Sequence, residues 1–235
     1  MKVKIVSWNC RNGLNEAKAN KIRDLDPNAD IFVIQECRRA DMYIFKDEWK
    51  FMNWYGDDLE YSDLGIAVFS KNYKIEFFDV FNRYYRYVVP YRIITEKEPV
   101  NLFAVWTKPL PEYYDKNVTE AIDWYCSKGL LSSCTIIIGD FNTGASDGNM
   151  KRYIDLRDNL KGFKNCAGEK FEDYKMTFCS NKKKFYVNDF CFISEKYLPC
   201  LKEMKIFHKE WQERLYGWSW QGLSNHCPIS VEFDL

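Results

Sequence analysis

This chain is poor in histidine, with two in 235 residues, and it has no net charge, because 34 lysines and arginines are matched by 34 aspartates and glutamates. The balance excludes an overall field that would draw the protein to nucleic acid or to an anionic membrane, so any grip on phosphate must be local. No apolar run approaches the length that spans a bilayer. The opening MKVKIVSWNC alternates like a strand and lacks the long apolar region of a signal peptide. No repeat, low-complexity tract or linker rich in Pro, Gly or Ser divides the chain, which predicts one domain over residues 1–235. The nine cysteines (10, 37, 126, 134, 166, 179, 191, 200 and 227) form an odd set with neither CxxC pairs nor regular spacing, and several lie in apolar runs. Reduced, buried thiols are therefore expected, and the protein is read as a cytoplasmic monomer with no membrane partner.

What is present is core material: 46% of the residues are hydrophobic and 17% aromatic. Strand patterns fall at residues 2–8, 31–35, 65–70, 74–80, 84–95, 101–106, 135–138, 185–194 and 229–233. Helical patterns fall at 15–25, 112–128 and 149–160. The continuously apolar strands, such as 31–34 and 136–138, predict cover on both faces, whereas the alternating ones need only one.

Polar groups gather where strands finish. IVSWN ends at Asn9, IFVIQE at Glu36 and TIIIGDFN at Asp140 and Asn142, while YVNDFCFIS carries Asp189 among Val187, Phe190 and Phe192. If the extended backbone persists through Phe141, Asp140 and Asn142 point the same way, a carboxylate and an amide able to hold a water or a phosphate. Each position also has an ordinary reading: Glu36 as a strand-end carboxylate in solvent, Asn9 as a turn residue, GDFN as a turn. Asp189 is harder to dismiss, because a carboxylate amid aromatic residues needs a partner or a cavity. Of the two histidines, His208 in MKIFHKEW has no evident polar partner nearby and reads as structural or exposed, whereas His226 in LSNHCPISVEF precedes a short proline-interrupted run into the last strand.

Taken in order, SWN (7–9), IQE (34–36), GIAVFS (65–70), GDFN (139–142), NDFCFIS (188–194) and SNHCP (224–228) resemble the motifs of the endonuclease/exonuclease/phosphatase family, the deoxyribonuclease-I-like metal-dependent phosphoesterases. The resemblance covers the chain from end to end. It implies an α/β fold, a four-layer α/β/β/α sandwich of two stacked mixed sheets flanked by helices, with the catalytic groups meeting at one rim. It also implies a Mg²⁺ ion, with Mn²⁺ as a substitute, anchored by Glu36 with Asn9 nearby. Asp140 would orient or deprotonate the attacking water, Asn142 would hydrogen-bond a phosphate oxygen, and His226, steered by Asp189, would stabilise charge developing on phosphate. Arg11, two residues after Asn9 and on the same face if the strand continues, matches a polar or basic position of some members and would touch phosphate there, or else reads as a solvated arginine at a strand end.

Two positions depart from the family pattern. Asn225 replaces an aspartate on the metal side of the site, removing a negative charge, and Trp106 stands where a histidine is common, so that subsite loses its proton acceptor. Lysines 182–184 and the aromatics Trp211, Tyr216, Trp218 and Trp220 flank the motif segments and would suit a nucleic-acid strand, with Trp106, Trp218 and Trp220 as candidate substrate contacts. The same residues also read as a solvated hairpin tip and a plug at the end of a sandwich. The functional expectation is a nuclease acting on DNA or RNA. The alternatives are a phosphatase or phosphodiesterase for a small or lipid-derived phosphoester, and a non-catalytic binding protein on the same scaffold.

Overall fold

A computed structural model of the chain describes residues 2–46, 48–56, 63–107, 114–146, 150–168, 176–214 and 217–235, with the side chains of 114–115 and 210–218 outside the described set. In chain order its elements are β1 (Lys2–Asn9), α1 (Glu16–Leu25), β2 (Ile31–Arg38), β3 (Phe51–Gly56), β4 (Leu64–Ser70), β5 (Ile75–Phe77), β6 (Val88–Ile93), β7 (Val100–Trp106), α2 (Tyr114–Ser127), β8 (Thr135–Ala145), α3 (Lys151–Asn159), β9 (Phe163–Asn165), β10 (Phe178–Cys179), β11 (Phe185–Ser194), β12 (Leu201–Ile206), β13 (Trp211–Arg214), β14 (Gly217–Trp220) and β15 (Ile229–Asp234).

The strands form two large sheets and a small hairpin. One sheet runs β12-β15-β1-β2-β4-β3. The other runs β10-β11-β8-β7-β6-β5 with β9 on β11, and β13 pairs with β14 alone. Each large sheet contains one parallel pair, β1 with β2 and β7 with β8, joined through α1 and α2 respectively. A helical crossover is what a parallel pair requires, and it puts a helix on one face of the sheet. Helix α1 begins where the sequence signals it, with the Asn15 side chain accepting a hydrogen bond from the Lys18 amide at 3.0 Å, and it buries Ala19 and Ile22.

Strand alternation sorts the apolar residues into three layers of contact. Val3 and Ile5 of β1, Ile31 and Val33 of β2, Ile136 and Ile138 of β8, and Cys191 and Ile193 of β11 fill the space between the sheets. Phe32 and Ile34 face outward among Ala19 and Ile22 of α1, and Ile137 and Phe141 face outward among Val118, Ile122 and Leu156 of the other two helices. The continuous apolar runs are therefore covered on both faces, as their composition predicts, and each such side chain removed from water contributes about 1.5–3 kcal/mol. The result is the expected sandwich of two mixed sheets with helices outside. All nine cysteines are free and seven of them are buried. No described helix is long and apolar enough to cross a membrane.

Three expectations about elements change. The 74–80 strand contracts to β5, and the 84–95 strand to β6, preceded by a 3-10 turn at Arg83–Tyr85. Strand β8 runs on to Ala145. Strands β3 and β12, absent from the sequence reading, close the edges of the first sheet; β12 alternates with exposed lysine and glutamate, and the aromatic-rich β3 is only partly buried throughout.

Candidate active site

Between the sheets, the inward positions change character towards one rim. On β1 the inward face reads Val3, Ile5, Ser7, Asn9; on β8 it reads Ile136, Ile138, Asp140; on β11, which runs the other way, it reads Ile193, Cys191, Asp189. The two parallel pairs thus end in polar groups at the carboxyl ends of their strands, where open α/β sheets place ligands. Asn9, Asp140, Asp189 and His226 are each no more than 3% exposed.

These side chains form one continuous network. The Asn9 amide nitrogen donates to Glu36 Oε1 at 3.0 Å and to Asp140 Oδ2 at 2.9 Å, so one carboxamide bridges two carboxylates from different sheets. Nδ1 of His226 lies 2.9 Å from Asp189 Oδ2, and Nε2 lies 3.8 Å from Asp140 Oδ2. Burial by itself would lower the His226 imidazole, but the charges of Asp189 and Asp140 and the hydrogen bond to Asp189 outweigh it and raise its pKa to about 9. Burial also raises the Asp140 carboxyl to about 7; the His226 charge opposes this, Asp189 adds to it, and hydrogen bonds from Asn9 and the Asn142 amide oppose it. At neutral pH the ring is therefore an imidazolium held between two carboxyl groups, and Asp189 has the partner its sequence context demanded.

Backbone irregularity aims two of the carboxylates and amides. Glu36 is the extra residue of a bulge between Gln35 and Cys37 and takes φ +56°, which frees its side chain from the strand alternation. Its Oε2 accepts from the Asn12 amide at 2.8 Å. The expectation that an extended backbone aligns Asp140 with Asn142 is overturned. Asn142 has φ +49° inside a bulge, since β8 uses residues 140 to 145 to span what β11 spans with 189 to 187. The two still meet by another route: the Asn142 amide donates to Asp140 Oδ1 at 2.9 Å, and its side-chain nitrogen sits 3.1 Å from Asp140 Oδ2 and 2.7 Å from the Thr107 carbonyl. Gly139 has φ +149°, and a Cβ there would meet the Val105 carbonyl oxygen at 2.0 Å, which explains the glycine before the aspartate.

The other site candidates separate. Arg11 does not continue β1: it has φ +53°, its amide donates to Asn9 Oδ1 at 3.0 Å, and its carbonyl is held by the Lys18 ammonium at 2.7 Å. Asn225 enters through its backbone, whose carbonyl accepts from Cys179 at 2.9 Å. Trp106 lies in register with Asp140 but is buried in the core between the sheets. Trp220 is fully buried, edge-on to Trp8 at 5.6 Å, with its indole N–H on the Phe207 carbonyl at 2.7 Å, so it is a core residue and not a substrate contact. Trp218 lies on β14, but its side chain, like those of Trp211 and Tyr216, lies outside the described residues.

Sequence reasoning missed the groups that hold these residues. The Ser224 hydroxyl donates to the Asn9 carbonyl at 2.7 Å and accepts from the His226 amide at 3.1 Å, tying the two ends of the chain together. Thr177 Oγ1 accepts from the amides of Asn188 and Asp189, and the Asn188 carboxamide oxygen accepts from Gly144 at 2.9 Å, pinning the bulge. Serine, threonine and asparagine give no signal of such contacts until distant segments are brought together.

Neither a family model nor a curated protein sequence matches this chain. Solved structures do. The endonuclease domain of TRAS1, a telomere-specific non-LTR retrotransposon, superposes with TM-score 0.70 at 15% identity over 100% of this chain and 99% of its own. The 3′ phosphatase NExo from Neisseria, bound to a product DNA hairpin, gives 0.66 at 17% over 99% and 100%. An endonuclease/exonuclease/phosphatase family protein from Leptotrichia buccalis gives 0.66 at 18% over 99% and 100%. At these identities the likeness is one of fold, and this chain has the deoxyribonuclease-I-like fold of the endonuclease/exonuclease/phosphatase proteins.

Proposed function

We propose that the chain is a divalent-metal-dependent phosphoesterase that hydrolyses phosphodiester bonds in DNA or RNA. The observation that carries this reading is the unbroken network from a partly exposed Glu36 through buried Asn9 and Asp140 to His226 and Asp189, at the rim of two sheets. The nucleic-acid assignment draws on the similar structures, one an endonuclease domain and another a 3′ phosphatase bound to DNA.

The donor set fits a hard cation. The oxygens of Glu36 and Asp140 both lie within 3.0 Å of one Asn9 nitrogen. The adjacent Cys10 thiol is buried with its pKa pushed to about 12, so it offers no thiolate ligand. Glu36, with Asn9 beside it, would hold the ion. Asp140, Asp189 and His226 also bring one ligand atom each within 4.8 Å of one another, a second place in the same network where a cation would find ligands. When bound, Mg²⁺ supplies a Lewis acid that offsets phosphate charge.

The protein groups then divide the work. Asp140, with a pKa near 7, accepts the proton of an attacking water. The His226 imidazolium, oriented by Asp189, stabilises charge developing on the phosphate oxygens. Asn142 holds Asp140 in place and presents its amide to a phosphate oxygen in exchange for the Thr107 carbonyl.

The test is a screen of single- and double-stranded DNA and RNA, nucleotides, sugar phosphates and inositol phosphates with Mg²⁺, Mn²⁺ or chelator, run beside Asp140→Ala and His226→Ala. Metal-dependent cleavage of nucleic acid that both folded variants lose is the expected result. Turnover confined to small phosphoesters would reassign the substrate, and no turnover of any of them would end the catalytic reading.

A further inference from the structure

Away from the rim, two thiols face each other across a pair of strands. Strand β9 pairs with β11 so that Asn165 lies opposite Phe192, and one step further the Cys166 amide donates to the Cys191 carbonyl at 2.8 Å. Their Sγ atoms are 3.7 Å apart, and both cysteines are free. Hydrogen-bonded antiparallel partners have Cα atoms about 5.5 Å apart, within the span that a disulfide bridges. The two thiols differ in access. Cys191 is fully buried in the core between the sheets, and burial pushes its pKa well above the usual thiol value. Cys166, itself buried but 7% exposed, lines a surface groove of about 400 Å³ together with Met204, Lys205 and His208, so it is the nearer of the two to solvent. The phosphoesterase reading uses neither sulfur.

We propose that Cys166 and Cys191 form a reversible dithiol site for a small hydroperoxide entering through this groove. The Cys166 sulfur attacks a peroxide oxygen and the O–O bond breaks, leaving a sulfenic acid on Cys166 and releasing water, or an alcohol from an organic peroxide. The Cys191 sulfur then attacks the sulfenic sulfur, the S–S bond forms and a second water leaves with the Cys191 proton. The peroxide gains two electrons and the two thiols lose two. Bonding requires the sulfurs to close from 3.7 Å to about 2.05 Å, a movement of under an ångström for each. Because Cys191 lies two residues from Asp189 on the same face of β11, the bridge tethers β9 to the strand that orients His226.

The test exposes the native protein to hydrogen peroxide, blocks the remaining thiols, and maps the digested peptides by mass spectrometry. A peptide linking residues 166 and 191, lost on treatment with a dithiol reductant, is the expected product. In Cys191→Ser the sulfenic acid on Cys166 should persist long enough to be trapped by a 1,3-dione. The proposal is overturned if the exposed Cys126 oxidises while 166 and 191 stay fully alkylatable, or if Cys166 links instead to the neighbouring Cys134. The readout is thiol chemistry in the wild-type chain, so it stands or falls apart from the phosphoesterase reading.

Discussion

Replacing Asp189 by asparagine should uncouple the charge of His226 from its position. The carboxamide retains an oxygen that can accept from Nδ1, 2.9 Å away, so the ring keeps its orientation, but the Asp189 charge is gone and only those of Asp140 and Glu36 remain to oppose burial. A rise of the imidazole from 6.5 to about 9 corresponds to about 3 kcal/mol of stability, at about 1.4 kcal/mol for each tenfold change in proton affinity. The independent expectation for breaking a buried ion pair is about 3–5 kcal/mol, which agrees. The folded pKa is raised, so this contribution is fully present below pH 6.5 and is lost as the pH climbs through about 9. Urea denaturation of wild type and Asp189→Asn at pH 6 should therefore differ by up to about 3 kcal/mol, and the gap should close towards pH 10. Two histidines make the titration itself readable by imidazole nitrogen NMR, with His208→Gln assigning the signals. A wild-type His226 that titrates at or below 6.5, or a titration unchanged in the variant, would refute the reasoning.

Two further outcomes follow from the site and its surroundings. If Asp140 acts ionised and His226 protonated, the pH profile of kcat/KM on any substrate found should be a bell, rising through about 7 and falling through about 9; a rate still climbing at pH 10 contradicts the roles assigned. Trp220→Ala should cost about 3–5 kcal/mol of stability, measured by denaturant unfolding, because it empties a fully buried site against Trp8; a stable variant that lost only substrate affinity would return the indole to the binding surface.

Much of the site was legible because strand ends are legible. The apolar runs before Asn9, Glu36 and Asp140 end abruptly in polar groups, and the aromatic setting of Asp189 calls for a partner that His226 supplies. The geometry at Arg11, Glu36 and Asn142 was not legible. All three adopt positive φ, which asparagine tolerates better than arginine or glutamate; bulges against neighbouring strands impose it at Glu36 and Asn142, while Arg11 takes it in the turn after β1. Edge strands β3 and β12 escaped notice because a half-exposed edge has no need of a continuous apolar face.

The sequence by itself determined the layers: the periods of its apolar residues say which strands are covered on both faces and where helices must lie, because burial of those side chains is the dominant favourable term in folding. Only the tertiary structure decided that Asn9 stands between Glu36 and Asp140, and that Trp220 is core while Ser224 fastens His226. Those contacts join residues as many as 215 positions apart, and their distances depend on how two twisted sheets stack, which no local pattern of residues encodes.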